Sequence, residues 1–126
     1  MATNYVNTGE AIDWYNGSGS AVSANDVIVL GTNTPVIMGI ALEDIASTAT
    51  GAVAIDGVYT CAKVSAGVIV AGESVSWDTT ASAFDDNQLA AATGDVTGCC
   101  VAVESAAATT TTVKVKLNVG IGTIAA

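Results

Sequence analysis

The strongest constraint on the fold is a strict alternation of apolar and polar residues over 113–119. Successive side chains of a β-strand point to opposite faces, so a period of two predicts a strand that is buried on one face only. The chain shows no long stretch with the 3.6-residue apolar period of an amphipathic helix. We therefore predict an all-β fold with little helix. The predicted inward residues are Val113, Val115, Leu117 and Val119, and the outward residues are Lys114, Lys116 and Asn118.

An Asp-Gly pair at 56–57 lies between two strand-like runs within 52–64. A type I′ turn needs positive φ at both central residues, which Asp and Gly tolerate, so this pattern predicts a β-hairpin. Ile55 would then face Val58 across the ladder. The residues expected to face the core are Val53, Ile55, Val58, Thr60, Ala62 and Val64, and those expected on the opposite face are Tyr59, Cys61 and Lys63.

Further strands are predicted at 26–30, 36–42, 73–77 and 99–104, because loops rich in Gly, Ser, Asn and Asp separate them. Pro35 can open one of these strands without occupying the interior of a ladder. The segment 85–92 places Asp ahead of Ala and Leu, and it is the one place where we predict a short helix.

The sequence contains a weak internal duplication. Residues 24–32 resemble 71–79, and residues 40–43 resemble 101–104. Both halves follow the order strand, loop, strand ending in Glu, loop, strand, which predicts a pseudo-repeated β topology. In this alignment Glu73 begins a strand as Asp26 does, and the acidic loop after Asp78 is missing from the first half. Chance similarity in a chain rich in Ala and Val is the alternative interpretation.

The charge balance excludes several function classes. The net charge is −9, with three lysines, no arginine and no histidine. Binding to nucleic acid or to an anionic membrane needs basic side chains, so neither is expected. Without histidine, the common nucleophilic triads and histidine-based zinc sites are not available, and no phosphate-binding loop motif is present. The first residues lack a basic and apolar leader pattern, so we expect synthesis in a cytoplasm.

An acidic stretch, GESVSWDTTASAFDD at 72–86, is the best candidate for chemistry. A calcium loop would need six to eight oxygen ligands around a sharp turn, but this stretch has no alternating Asp pattern and no turn glycine after Asp78. A glycosidase would need two carboxyls about 5–9 Å apart in a cleft, and aromatic residues are only 5% of the chain. We interpret the acids as an exposed rim and predict no catalytic residue, metal, cofactor or small-molecule substrate. They are Glu73, Asp78, Asp85 and Asp86.

The three cysteines, Cys61, Cys99 and Cys100, could form a redox or metal site, or they could be small buried apolar residues. We favour burial. Neighbouring residues of a strand point to opposite faces, so a disulfide between Cys99 and Cys100 is not expected.

Three aromatic residues are candidates for contacts with a partner. Trp14 and Tyr15 follow a polar N-terminal segment and precede a Gly/Ser loop, a setting in which aromatic residues often anchor interfaces. Covering one end of a barrel is the alternative role for this pair. Phe84 is the one large apolar residue of TTASAFDD (79–86), the start of the acidic loop, and it is the third interface candidate.

Taken in order, four motifs resemble a family of small tailed-phage capsid cement proteins, also called head decoration proteins. The resemblance covers nearly the whole chain. Cys99-Cys100, the loop 79–98 and the tail 120–126 depart from the family pattern. The motifs are residues 2–13 (ATNYVNTGEAID), 39–58 (GIALEDIASTATGAVAIDGV), 71–78 (AGESVSWD) and 101–106 (VAVESA) with 113–118 (VKVKLN).

This resemblance implies a small β-barrel or β-tulip-like subunit, usually a homotrimer, on the outer surface of the phage head. It would bridge neighbouring major capsid proteins after head expansion, without enzymatic activity. Relatives sometimes carry a name that suggests a RecA-like recombinase, which this sequence does not support because it has no nucleotide loop. A generic β-sandwich binding module, such as a phage spike or an adhesin-like domain, is the alternative.

The family resemblance also suggests a division of the chain. Residues 1–15 would form an N-terminal arm and the first strand, and residues 16–126 a single β-domain. The arm is polar and lacks proline, so it could add a strand to the edge of a capsid-protein sheet. A disordered terminus is the alternative. The residues predicted to bind the capsid are Thr3, Asn4, Tyr5, Val6 and Asn7.

Overall fold

A computed structural model describes residues 9–88 and 90–126 of the chain, and these residues form an all-β domain. No helix in these ranges is long and apolar enough to cross a membrane. The strands of the described residues are β1 (Ala11–Tyr15), β2 (Val27–Leu30), β3 (Ile37–Ala41), β4 (Thr50–Ala54), β5 (Val58–Ala62), β6 (Ser74–Asp78), β7 (Ala83–Asp85), β8 (Val96–Ala102), β9 (Thr112–Lys116) and β10 (Thr123–Ile124).

The strands form two sheets. The first has four antiparallel strands in the order β1-β4-β3-β2. The second has six strands: β5-β9-β8-β6-β7 follow in order, and β10 pairs with β8. This second sheet curls, because Lys63 at the end of β5 forms a parallel bridge with Phe84 of β7 and brings its two edges together. The all-β prediction is confirmed.

The pseudo-repeat is also confirmed, because the strand order of the first sheet recurs in the second. Strands β1, β4, β3 and β2 correspond in order to β5, β9, β8 and β6. The irregular bridges recur as well: Val22 pairs with Ile45 in the first half, and Ile69 pairs with Ala106 in the second. Chance similarity of sequence would not reproduce a sheet order and its bridges together.

The two acids aligned at strand starts play the same role. Asp26 Oδ2 accepts a hydrogen bond from the Ser23 N–H at 3.0 Å, and Glu73 Oε1 accepts one from the Val70 N–H at 2.9 Å. Each carboxylate satisfies a backbone donor in the tight turn just before its strand, as short acidic side chains do in turns. The predicted equivalence of Asp26 and Glu73 is therefore confirmed.

The predicted hairpin at Asp56-Gly57 is wrong. The flanking strands belong to different sheets, since β4 pairs with β1 and β3 while β5 pairs with β9. Gly57 does have positive φ, at +110°, so the turn is real, but it carries the chain from one sheet to the other. The parity of the side chains changes at this crossing: Cys61 and Lys63 are buried, whereas Val58, Thr60 and Ala62 are exposed. Turn chemistry alone does not reveal which sheet a strand joins.

The other strand predictions hold with shifted ends, and two details fail. Val113, Val115 and Leu117 are buried as predicted, but Val119 is exposed because the strand has ended before it. The helix predicted at 85–92 does not occur among the described residues of that segment, where β7 ends at Asp85 and bends follow. Asp85 and Asp86 accept hydrogen bonds from the Asp86 and Gln88 N–H groups, which fixes a turn there.

The core lies between and within the two sheets. A larger cluster in the second sheet also receives Val36, Met38 and Ile40 from β3 and the residue before it. A smaller cluster covers the other side of the first sheet, around Ile45 and Val53. Side chains on β2 reach both clusters, with Ile28 in the smaller and Val29 against the larger.

Asn118 joins the two sheets by side-chain hydrogen bonds. Its amide donates to the Met38 and Ile55 carbonyls at 2.8 and 2.7 Å, and its Oδ1 accepts from the Met38 N–H at 2.9 Å. Its φ is +54°, a left-handed conformation that Asn adopts more readily than most residues. The alternation that assigned Asn118 to the outward face fails because the chain leaves the strand at this point.

The segment after Asn118 fastens the first sheet to the second. Gly122 and Val36 exchange two backbone hydrogen bonds, of 2.7 and 2.9 Å, and Thr34 Oγ1 accepts one from the Ile124 N–H. A side chain at 122 would place its Cβ only 2.6 Å from Val96 Cγ1, so glycine permits this close crossing. The tail that departs from the family pattern thus has a structural role in this chain.

Candidate functional site

The N-terminal residues predicted to bind a capsid, from Thr3 to Asn7, lie outside the described residues. The described residues begin at Gly9, just before β1, and within them β1 forms one open edge of the first sheet. Tyr15 at the end of this strand is 58% exposed. Trp14 is half-buried, and it lines a groove of about 650 Å³ between the two halves. The two aromatic neighbours therefore face different surroundings.

The expectation that Phe84 contacts a neighbouring protein must be corrected. Its side chain is fully buried in the larger core cluster and packs edge-on against Trp77, with ring centroids 5.0 Å apart. The acidic loop folds back as β7, pairing with β6 along Ser76–Asp85, Trp77–Phe84 and Asp78–Ala83. Sequence reasoning missed this strand because it is short and polar residues surround it.

The acidic loop uses its carboxylates to hold backbone turns. Asp78 Oδ1 accepts hydrogen bonds from the Thr80 and Ala81 N–H groups at 2.9 and 3.0 Å. The two oxygens of Asp95 accept from Thr79 and Ala92, which ties the start of the loop to its end. Within the described ranges, no group of three or more His, Cys, Asp or Glu side chains is placed to hold a metal ion.

All three cysteines are free thiols buried in the larger cluster, as predicted. Burial raises the pKa of the Cys61 thiol to about 11. The neighbouring Cys99 thiol and burial together raise the pKa of Cys100 well above its usual range. Cys99 and Cys100 are adjacent, yet both are buried, because Gly98 at φ +78° and a register shift between β6 and β8 interrupt the regular strand. A protonated, buried thiol is a poor nucleophile, so Cys61 and Cys100 pack rather than react. The Cys99 thiol differs, because its hydrogen bond with Cys100 lowers its pKa.

Lys63 is the most unusual polar residue, since it is only 4% exposed. Its ammonium donates to three backbone carbonyls, those of Val64, Ser65 and Thr110, at 2.9 to 3.3 Å. Asn16 occupies the corresponding place after β1, and its buried amide also donates to three carbonyls, of Ser20, Ile45 and Ala46. Both side chains bind the loops that close their half of the domain. Lys63 is the one buried cation of the described residues, and it serves the structure.

Sequence reasoning did not identify the open edge of β2, which borders the same groove as Trp14. Among the described residues β2 pairs only with β3, so its other edge carries no strand. The signal was present in the sequence as a length difference: residues 31–36 link β2 to β3, whereas residues 79–95 link the equivalent β6 to β8. The longer link supplies β7, and the shorter one supplies no equivalent.

These features define a class of protein: an all-β domain with open strand edges and carboxylates engaged in turns. The family model of phage cement proteins matches residues 6–117, most of the chain. The protein therefore belongs to the phage cement protein family. No curated protein matches the chain. Membership indicates a structural, capsid-stabilising role in the phage virion and a location on the capsid, in a family not known for enzymatic activity.

Proposed function

We propose that this protein binds the outside of the expanded phage head and bridges neighbouring major capsid proteins. The observation that carries the proposal is the family match over 6–117, which spans nine of the ten strands and ends before β10. Packaged DNA stresses a capsid shell, so a protein that adds binding energy at many equivalent sites would stabilise it. The net charge of −9 suits contact with a complementary basic surface of a capsid protein.

The proposal includes a homotrimer made after infection in the host cytoplasm, in which each subunit contributes an N-terminal arm. Residues 3–7 would add a strand to an edge of a capsid-protein sheet, where main-chain hydrogen bonds provide affinity. Three arms on one trimer would bind together, so the avidity of the trimer exceeds the affinity of one arm. β1 follows the arm in the chain, and its edge, which is open within the described residues, and its exposed Tyr15 would extend the contact surface of the arm.

The test is cosedimentation of the purified protein with expanded heads assembled without it, and with procapsids as the control. We expect saturable binding to expanded heads and none to procapsids, together with a trimeric mass by light scattering. A stable monomer that binds neither particle would contradict the proposal.

Removing residues 2–8 tests the arm separately. We expect binding to heads to weaken by at least about tenfold, which corresponds to about 1.4 kcal/mol. Circular dichroism and the melting temperature should stay close to those of the full chain, because the two sheets are formed by later residues. Unchanged binding would remove the arm from the proposal and leave the cement function in place.

A further inference from the structure

The second half of the domain shows what an occupied edge looks like. Strand β6 has β8 on one side and β7 on the other, with Ser76 opposite Asp85 of β7. In the repeat, β6 corresponds to β2, so Ser76 corresponds to Val29. Strand β2 has β3 on one side, and among the described residues no strand lies on the other. The domain therefore contains one filled and one unfilled copy of the same position.

The hydrogen-bond pattern identifies the unused groups on β2. The Ala41 N–H donates to the Asp26 carbonyl at 2.9 Å, and the register then pairs Ile28 with Gly39. Hydrogen-bonded pairs alternate along an antiparallel ladder, so Ile28 and Leu30 bond to β3. Val27 and Val29 therefore direct their N–H and C=O groups toward the open edge. Such a row of unpaired groups is a template for another strand.

The groove beside this edge offers an apolar surface to a strand, although Ser, Thr and Asn side chains also line it. It holds about 650 Å³, and its walls include Trp14, Val27, Val29, Ala62 and Trp77. In the second half, Phe84 of β7 packs on Trp77 of β6 beside the equivalent edge. An occupant of the first half would be expected to present one large apolar side chain in the same manner.

The charge of the surroundings restricts the occupant. Asp26 is the one charged residue among the described residues that line the groove. Asp26 would repel a strand with acidic side chains, whether that strand came from a second copy of the chain or from another protein. An extended segment without acidic side chains, from a partner that carries basic charge, meets no such repulsion.

From these observations we propose that the open edge of β2 accepts an extended, antiparallel segment of the major capsid protein, in the position that β7 holds beside β6. The segment lacks acidic residues and places one large apolar side chain in the groove lined by Trp14. This inference rests on the proposed function, because it names the surface through which the protein receives its capsid partner. It is distinct from the arm, which would donate a strand rather than accept one.

Hydrogen exchange of the wild-type protein tests the inference without any mutation. Amides of 27–30 should exchange at least about tenfold more slowly on expanded heads than in the free protein, because the Val27 and Val29 N–H groups become bonded. If the protein binds heads and these amides show no added protection, the inference is wrong while the proposed function stands. If the protein does not bind heads, both are wrong.

A pair of variants at one position separates the backbone from the side chain. Val29→Pro removes an outward N–H, a change that edge strands tolerate, whereas Val29→Ala keeps that N–H and shortens the side chain. We expect cosedimentation with heads to weaken at least tenfold for Val29→Pro and less than about threefold for Val29→Ala. Equal binding of Val29→Pro and wild type would overturn the inference.

The remaining occupant is an N-terminal segment of a second copy, and the same measurements distinguish it. In that case the amides of 27–30 would already be protected in the free oligomer, and deletion of residues 2–8 would abolish the protection. That outcome would also overturn the assignment of the capsid protein as occupant.

Discussion

The two halves of this domain share a strand order but differ in how their edges end. In the second half, the long link after β6 returns as β7 and bridges to Lys63 beside β5, so the sheet curls toward closure. In the first half, a short link leads directly from β2 to β3, and both edges of the described sheet stay open. An insertion in one copy of a repeat can thus convert an open sheet into a nearly closed one.

The open and closed sheet edges differ in the number of backbone groups that they leave unpaired. Edges of a sheet carry unpaired backbone groups that favour association with other chains, and closure removes them. In the second half, β7 pairs with the edge of β6, and Phe84 of β7 packs in the core. The first half keeps its unpaired groups, which would be a liability in an isolated protein but suit a protein that assembles on a shell.

The largest loss of stability is expected from shortening the Phe84 side chain of β7, the inserted strand. Phe84→Ala removes a fully buried ring that packs on Trp77, and such substitutions cost about 3–5 kcal/mol. Urea unfolding measures the loss. Phe84→Leu is the matched control, since it keeps most of the apolar volume and should cost clearly less. A loss below about 1 kcal/mol for Phe84→Ala would show that the second half does not depend on its insertion.

An intermediate effect is expected at the equivalent buried polar residues. Lys63→Met removes three donors to carbonyls while keeping an apolar stem, and we expect it to lower the free energy of unfolding by about 2–3 kcal/mol. Asn16→Ala should cost about 1–2 kcal/mol, because its bonds are uncharged.

Lys114→Met is the control for this pair, since Lys114 is well exposed and its loss should change stability little. Chemical denaturation at neutral pH measures all three variants. If Lys63→Met proved more stable than wild type, burying the ammonium would cost more free energy than its hydrogen bonds contribute. Lys63 would then destabilise the second half, whereas Asn16 stabilises the first.

The smallest effect is expected at the exposed acids that follow β3 and β8. Glu104 forms an ion pair of 3.0 Å with Lys114, and the corresponding Glu43 accepts a hydrogen bond from the Ala52 N–H at 3.2 Å. Glu104→Gln should cost at most about 0.5 kcal/mol, and the cost should vanish in high salt. Glu43→Gln keeps an acceptor and should show no salt dependence. Melting temperatures at low and high salt measure this difference. An equal change with salt in both variants would contradict the prediction.

The sequence predicted the parts of the fold that depend on local pattern. The alternation at Val113, Val115 and Leu117 and the aligned turn acids Asp26 and Glu73 each reflect interactions within a few residues, and each was found. The Asp56-Gly57 turn was also real, but the partner of each flanking strand is set by distant contacts. A pattern within 52–64 contains no information about whether β5 joins β4 or β9.

The candidate site was predicted only in part for a similar reason. Trp14 was singled out from its setting, and it does line the groove, but the groove also needs β2 and residues from the second half. Phe84 was assigned to the surface because its neighbours are polar, whereas those acids bond to the backbone and allow the loop to fold inward. The composition of a loop does not reveal whether one of its residues pairs with a strand.

The crossing of the tail over the first sheet has a consequence for the order in which the domain folds. The bond between Thr34 and Ile124 joins residues 90 positions apart, and Gly122 completes the pairing of Val36. The first sheet can form from contacts among its own strands, but its link to the second sheet must wait until the ribosome has released nearly the whole described chain. We therefore expect a slow final docking step in refolding, in which β3 side chains, Asn118 and the tail join the two sheets together.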